Sequence, residues 1–186
     1  MEVLRLKAYT DGLTGIANRK SFDQVLKQST INAMEDGTSL CLMMIDIDHF
    51  KAFNDTHGHQ VDDLVLRLLA ATLRENVKGQ DTPARYGGEE FAVILPNTQL
   101  VDAMTVAETL RKAISRKNLR DKKSGNDMGR IAISAGVTSF QYGEAVGQFI
   151  YRTDQALYHA KNTGRDKVCS DNDIDTTVAH HEIWLR

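Results

Sequence analysis

The sequence predicts an α/β sandwich in which helices cover a mixed, largely antiparallel central sheet. Three observations lead there. Stretches with helical apolar spacing alternate with short apolar runs along the chain. One of those runs, "SLCLMMIDID" over residues 39–48, is apolar at successive positions and so reads as a strand buried on both faces. Finally, "DTPARY" and "EEFAVILP" flank Gly87 and Gly88, a pair suited to a two-residue hairpin because both turn positions can take positive φ.

The elements follow in order. Asn18 is an N-cap candidate, Phe22, Val25, Leu26 and Ala33 fall near helical spacing, and Asp36 and Gly37 stop the pattern. The buried strand comes next. A long helix is expected from His59 to about Val77, with Val61, Leu64, Val65, Leu68 and Thr72 on its apolar stripe and Leu66, Leu69 and Leu73 widening it. After the hairpin, residues 101–115 repeat Ala103, Val106, Leu110, Ala113 and Ile114 as a helix, residues 116–126 read as a basic polar loop, and "RIAISAGVTSF" supplies another core strand. A last helix, about residues 145–163, buries Val146, Phe149, Ile150, Leu157 and Ala160 and ends at Gly164, where a left-handed cap fits. Residues 1–10 resemble the end of a helical linker, 11–170 form the domain, and 171–186 are a polar tail.

Composition narrows the function. With 186 residues, 41% of them hydrophobic, the chain suffices for one well-buried core and is short for two ordinary domains. Its 23 basic and 25 acidic residues nearly cancel, so no broad positive field advertises DNA or RNA, and any phosphate contact must be local. Cys41 and Cys169 lie far apart and form no CxxC, which fits buried thiols in a reducing, cytoplasmic setting. No apolar run approaches the length of a membrane span, and "MEVLRLKAYTDG" lacks a signal-peptide core.

The informative residues are the acids at strand ends. In "ARYGGEEFAVILP", Glu89 and Glu90 open a strand that wants to leave water, and burying them is costly unless something cationic or hydrogen-bonding meets them. In "MMIDIDHFKAFNDTHGH", Asp46 and Asp48 stand at the end of the buried strand, where alternation sends both to one face. If the two strands are neighbours, Asp46 and one of the glutamates can converge on a hard divalent cation, for which magnesium is the natural candidate. Glu89 and Glu90 are adjacent, so regular strand geometry points them to opposite faces and allows them separate roles. The plain alternative for any one of these acids is a solvated strand end. His57, His59 and the pair His180 and His181 lack the further Cys or His that a zinc site needs.

Four stretches, "DGLTGIANR", "DIDHFKAFNDTHGH", "RYGGEEF" and "ALYHAKNTGRD", occur in the order and approximate spacing found in the GGDEF domains of diguanylate cyclases, and the chain resembles that family over roughly residues 11–168. The resemblance implies a core like the palm of nucleotidyl cyclases and polymerases, and condensation of two GTP molecules into cyclic di-GMP with release of pyrophosphate across a homodimer. It implies magnesium or manganese on Asp46, the Ile47 carbonyl, Glu89 and Glu90. Asn54 and Asp63 match guanine-reading positions, His59 lies in the same substrate motif, Gly87 and Gly88 let the backbone approach phosphate, and Lys51, Lys161 and Arg165 match basic positions near the triphosphate. Glu89, with Lys51, carries the catalytic assignment.

Two departures stand out. Asp62 occupies a position that usually carries glycine in this motif. Where many relatives have an inhibitory Arg-x-x-Asp motif that binds product, this chain has "KGQD", keeping Asp81 but replacing the arginine by Lys78; the position of a further arginine contributed by some relatives is Thr109. Arg111 and Arg116 are the other basic residues available to complete such a site. An active cyclase leads over two alternatives: a non-catalytic GTP or cyclic di-GMP receptor on the same fold, and a dimerising module with a vestigial site. A receptor would predict eroded metal ligands beside a retained inhibitory motif, nearly the opposite of this pattern.

Overall fold

Asn18 accepts a hydrogen bond from the Ser21 amide at 2.9 Å and so caps the first helix, α1 (Arg19–Asp36), which stops where Gly37 takes a left-handed conformation at φ 65°. The computed structural model describes residue 4 and residues 8–174, so most of the expected linker helix and residues 175–186 of the expected tail lie outside the described residues. After α1 come β1 (Leu40–Ile47), the short α2 (Phe50–His57), the long α3 (His59–Asn76), β2 (Thr82–Arg85), β3 (Glu90–Pro96) and α4 (Leu100–Ser115). The chain continues through β4 (Asn118–Arg120), β5 (Asp127–Arg130), β6 (Ile133–Ser139), α5 (Val146–Asn162), β7 (Val168–Ser170) and a 3-10 turn, Asp171–Asp173.

Five strands form one mixed sheet in the order β2-β3-β1-β6-β7. Every pairing is antiparallel except that of β6 with β7. β1 is central, and all eight of its residues are buried. Its alternate side chains serve two cores: Cys41, Met43, Ile45 and Ile47 join α3 and α4 on one face, while Leu40, Leu42 and Met44 join α1 and α5 on the other. This two-sided burial explains the unbroken apolar run, since neither parity reaches water. Asp46 follows the parity of Met44 and therefore points to the α5 side.

Several expectations need correction. Gly87 and Gly88 do not take positive φ, and the hairpin has no two-residue turn. Four residues, 86–89, join β2 to β3, with the amides of Tyr86 and Gly87 both donating to the Glu90 carbonyl at 2.9 and 3.1 Å. The supposed polar loop over 116–126 contains β4, which pairs with β5 as a separate hairpin pinned by the buried Leu119. The buried stripe of α3 is Val65, Leu66, Leu69, Ala70, Thr72 and Leu73, so Val61, Leu64 and Leu68 sit at its margin. On α5 the deepest residues are Phe149, Thr153, Ala156, Leu157 and Ala160. The tight approach of α5 to β6 is permitted by Gly136, where a Cβ would lie 2.2 Å from the Leu157 nitrogen. Beyond Ser170 the chain is still fastened, because Asp171 accepts from Arg152 at 2.9 Å. Among the described residues no helix is long and apolar enough to cross a membrane.

Candidate active site

The antiparallel register places Asp46 of β1 directly opposite Glu90 of β3, so the two acidic clusters of the sequence meet at one end of the sheet. Asp46 is almost fully buried, and its Oδ2 accepts from the Lys161 ammonium at the end of α5. Its Oδ1 is buried with no hydrogen-bond partner. Asp48, grouped with Asp46 on sequence, is not part of this arrangement. It follows the end of β1, and both its oxygens are occupied: Oδ1 accepts from the Ser134 hydroxyl at 2.6 Å and Oδ2 from the Asp166 amide at 2.9 Å.

The adjacent glutamates have different surroundings, although Glu89 belongs to the connecting turn and only Glu90 to β3, so strand alternation is not what separates them. Burial raises the pKa of Glu89, and the Asp62 carboxylate on α3 raises it further. Glu90 is raised by burial, then by Asp154 of α5 and by Glu89, against the opposing charge of Arg19 on α1. Glu89 thus belongs electrostatically with the α3 side and Glu90 with the α1 and α5 side. Lys161 is pulled down by burial and by the neighbouring Arg165, while the Asp46 carboxylate works in the opposite direction.

The short α2 leads into α3, whose first turn brings Asp62 close to Glu89. Asn54 on α2 holds its Oδ1 buried and unpartnered, and so does Asp62 with its Oδ1. The other Asp62 oxygen lies 3.2 Å from His59 Nδ1, although the His59 side chain is 96% exposed. Asp63 and Lys51 are exposed. Asp46, Asn54 and Asp62 supply the buried side-chain oxygens left without a hydrogen bond among the described residues. All three are acceptors, and a buried acceptor that no donor meets costs on the order of 1 to 3 kcal/mol. Buried acceptors that no protein donor meets suit a ligand carrying donors or positive charge.

No cluster of three or more His, Cys, Asp and Glu side chains able to hold a metal occurs among the described residues. The donor set nevertheless fits a hard cation. Magnesium is commonly held by one or two carboxylates together with substrate phosphates and waters, and Asp46, paired in register with Glu90 and with its Oδ1 unbonded, offers such a carboxylate. Gly87 and Gly88 are exposed on the connecting turn.

That turn is braced by residues that the sequence motifs left without a role. Arg85 donates to the Gly88 carbonyl from Nε at 3.2 Å and from Nη2 at 2.9 Å, and its Nη1 reaches the Asp11 carboxylate at 3.2 Å. Asp11 in turn accepts from the Thr14 amide and hydroxyl at 2.9 and 2.6 Å. Burial works against ionisation of Asp11, but the bonds from Thr14 and the charge of Arg85 together hold its pKa below the ordinary range. On the other side of the turn Tyr86 packs edge-on against Phe22, with the Arg19 guanidinium 3.7 Å above its ring. An Asp-x-x-Thr turn before a capped helix and an arginine before paired glycines were the available signals.

The "KGQD" segment lies away from these acids, between α3 and β2. Lys78 is exposed, and burial raises the pKa of Asp81 against the hydrogen bond from the Lys78 backbone. Thr109 is exposed and uses its hydroxyl on the Thr105 carbonyl. Arg111 is committed elsewhere, to Glu108 at 2.6 Å and to Asp166 at 2.9 Å.

Residues 8–167 match the family model described as diguanylate cyclase, GGDEF domain. Diguanylate cyclase DgcP of Pseudomonas aeruginosa is 43% identical over 168 residues, covering 90% of this chain and 25% of the relative. Diguanylate cyclase VdcA of Vibrio cholerae is 38% identical over 177 residues, covering 90% of this chain and 51% of the relative. The chain therefore spans a quarter to about half the length of these two relatives. The crystal structure of the GGDEF domain of DgcB from Caulobacter crescentus, in complex with c-di-GMP, superposes with a TM-score of 0.87 at 41% identity, covering 89% of this chain and 94% of that one.

Proposed function

Because the chain belongs to the diguanylate cyclase GGDEF family, we propose that it joins two GTP molecules into cyclic di-GMP, releasing two pyrophosphates. The observation that carries this is the pairing of Asp46 with Glu90 across β1 and β3, with Asp62 close to Glu89 and with buried oxygens on Asp46, Asn54 and Asp62 that no protein donor meets. Acceptors of this kind are complementary to the amide donors of a base and to a cation that carries phosphates.

Each residue then has a task. Asn54 and Asp63 read guanine: a carboxylate accepts both N–H donors of its Watson–Crick edge, a pair that adenine does not present. His59 flanks that pocket. Asp46, the Ile47 carbonyl, Glu89 and Glu90 would hold magnesium or manganese, which supplies charge neutralisation on the triphosphate and on the developing oxyanion. Lys161 and Arg165 meet the triphosphate from the end of α5, Lys51 adds positive charge from α2, and Gly87 and Gly88 let the hairpin backbone approach. Glu89, whose pKa is raised by burial and by Asp62, is the group assigned to accept the proton of the attacking 3′-hydroxyl. The 3′-oxygen bonds to the α-phosphorus of the second GTP, the bond from that phosphorus to the bridging oxygen breaks, and pyrophosphate departs with the electron pair. One domain holds one GTP, so two copies must face each other and the step occurs twice.

Incubating the protein with GTP and magnesium, with products resolved by mass, tests the proposal. Cyclic di-GMP and pyrophosphate in a 1:2 ratio are expected. GTP bound but recovered intact would instead identify a receptor.

A further inference from the structure

Between α5 and β7 the backbone makes a turn that amino-acid side chains ordinarily resist. Gly164, Arg165 and Asp166 have φ of 119°, 62° and 44° in succession. Aspartate visits the left-handed region with some ease, but arginine does so rarely, and a non-glycine residue there persists only where its surroundings over-determine it. Here the surroundings do. The Arg165 amide donates to the Ala160 carbonyl at 3.0 Å, closing the end of α5, and the Ala135 amide of β6 donates to the Lys167 carbonyl at 3.0 Å, fixing the far side. Between these two anchors the Asp166 amide donates to Asp48 Oδ2 at 2.9 Å, and Asp166 Oδ1 accepts from Arg111 Nη1 at 2.9 Å. Both holders are themselves held, Asp48 by Ser134 at 2.6 Å and Arg111 by the two oxygens of Glu108 at 2.9 and 2.6 Å.

The consequence falls on Arg165. Its backbone is fastened on both sides, while its guanidinium makes no hydrogen bond or ion pair among the described residues and lies near the Lys161 ammonium. A guanidinium without a carboxylate partner of its own is open to a bound phosphate, to which it can donate charge-assisted hydrogen bonds.

We propose that Asp48, Asp166 and Arg111 are positioning residues, which hold the turn in its left-handed form so that Arg165 presents its guanidinium to the triphosphate beside Lys161. Asp48 is therefore retained beside Asp46 to aim a cation on another element, while Asp46 faces the site itself. Arg111 extends the same support to α4, outside the site. The inference rests on the proposed contact of Arg165 with the triphosphate, and its test separates the two.

Affinities for a non-hydrolysable α,β-methylene analogue of GTP and for GMP are measured by calorimetry on the full chain. Their ratio isolates the triphosphate contribution, whereas any general damage to the nucleotide site lowers both. Arg165→Ala should reduce the ratio about tenfold, the loss of one charge-assisted contact. Arg111→Ala should reduce it by a similar factor without weakening GMP, Arg111→Lys should recover part of the loss, and Arg111→Ala should add nothing when Arg165 is already alanine. Asp166→Gly gives a second variant that tolerates the backbone without strain yet deletes the carboxylate; it should fold and show the same reduced ratio. An unchanged ratio in Arg165→Ala would overturn the triphosphate contact itself. A reduced ratio there, with Arg111→Ala and Asp166→Gly at the wild-type value or with fully additive losses in the double variant, would overturn the positioning role alone.

Discussion

Replacing Gly136 by alanine should damage stability and site geometry together. The added Cβ would stand 2.2 Å from the Leu157 nitrogen, 2.5 Å from the Thr153 oxygen and 2.8 Å from the Ala156 carbonyl carbon. All three are backbone atoms of α5, so no side chain can swing aside. Non-bonded heavy atoms rest about 3.5 Å apart or more, which means that α5 must lift from β6 by about 1 Å or the strand must bend. Bending is resisted because Gly136 lies between Met44 of β1 and Cys169 of β7. Overpacking of this kind costs about 1 to 3 kcal/mol, and the rigid neighbours on both sides put Gly136→Ala at the upper end. For a domain of this size that lowers Tm by roughly 6–12 °C. The helix that lifts also carries Lys161 to Asp46, and a misplacement of about 1 Å can cost on the order of a hundredfold in rate. Urea unfolding followed by circular dichroism gives the first quantity. GTP turnover at a temperature where both proteins are fully folded gives the second. A variant within about half a kcal/mol of wild type and equally active would show that β6 and α5 are not packed as described.

Other expectations bear on the site. In metal-free protein, Asp62→Asn should lower the titration midpoint of Glu89, because one of the charges opposing its ionisation is removed. An acid whose folded pKa is raised costs stability once pH passes its unfolded value, so this variant should also gain stability relative to wild type on the neutral side. Side-chain carbon NMR reads the midpoint, and an unchanged or higher value would refute the coupling. Asn54→Ala and Asp63→Ala should each weaken discrimination of GTP over ATP, since unpaired guanine donors cost on the order of 1 to 3 kcal/mol when buried; unchanged selectivity in both would refute the guanine-reading roles. Product feedback at the "KGQD" segment should be weak: Lys78 has no planar fork, Thr109 no charge, and Arg111 is held by Glu108 and Asp166. Tight binding of cyclic di-GMP in calorimetry, lost on Lys78→Ala with turnover preserved, would overturn that expectation.

What the sequence made legible were the features that depend on local chemistry. The central strand, the Asn18 cap and the two long amphipathic helices are written in periodicity and capping residues, and the meeting of Asp46 with Glu90 follows once β1 and β3 are neighbours. Features set by partners distant in sequence were hidden. Nothing local says that Asp48 turns to Ser134 and Asp166, 86 and 118 residues away, or that Arg85 ties the glycine turn to Asp11, 74 residues back. Two successive glycines suggested positive φ, but glycine permits that conformation without requiring it, and the Glu90 carbonyl draws the chain into a four-residue connection. The β4–β5 hairpin escaped because its strands are short and polar, with Leu119 as the buried anchor of the first. Asp62 was noticed as a departure, while its buried oxygen became visible only when α3 was placed beside the hairpin.

The central claim is that this acidic cluster, with a divalent cation, joins two GTP molecules. Its most direct test is a time course of GTP consumption with magnesium, run on wild type and Glu89→Gln at several protein concentrations, with nucleotides resolved by mass. The expected result is cyclic di-GMP from wild type alone, with specific activity rising as protein concentration favours the dimer and falling to nothing on addition of a strong chelator. Turnover by Glu89→Gln at the wild-type rate, or by wild type in the chelator, would contradict it.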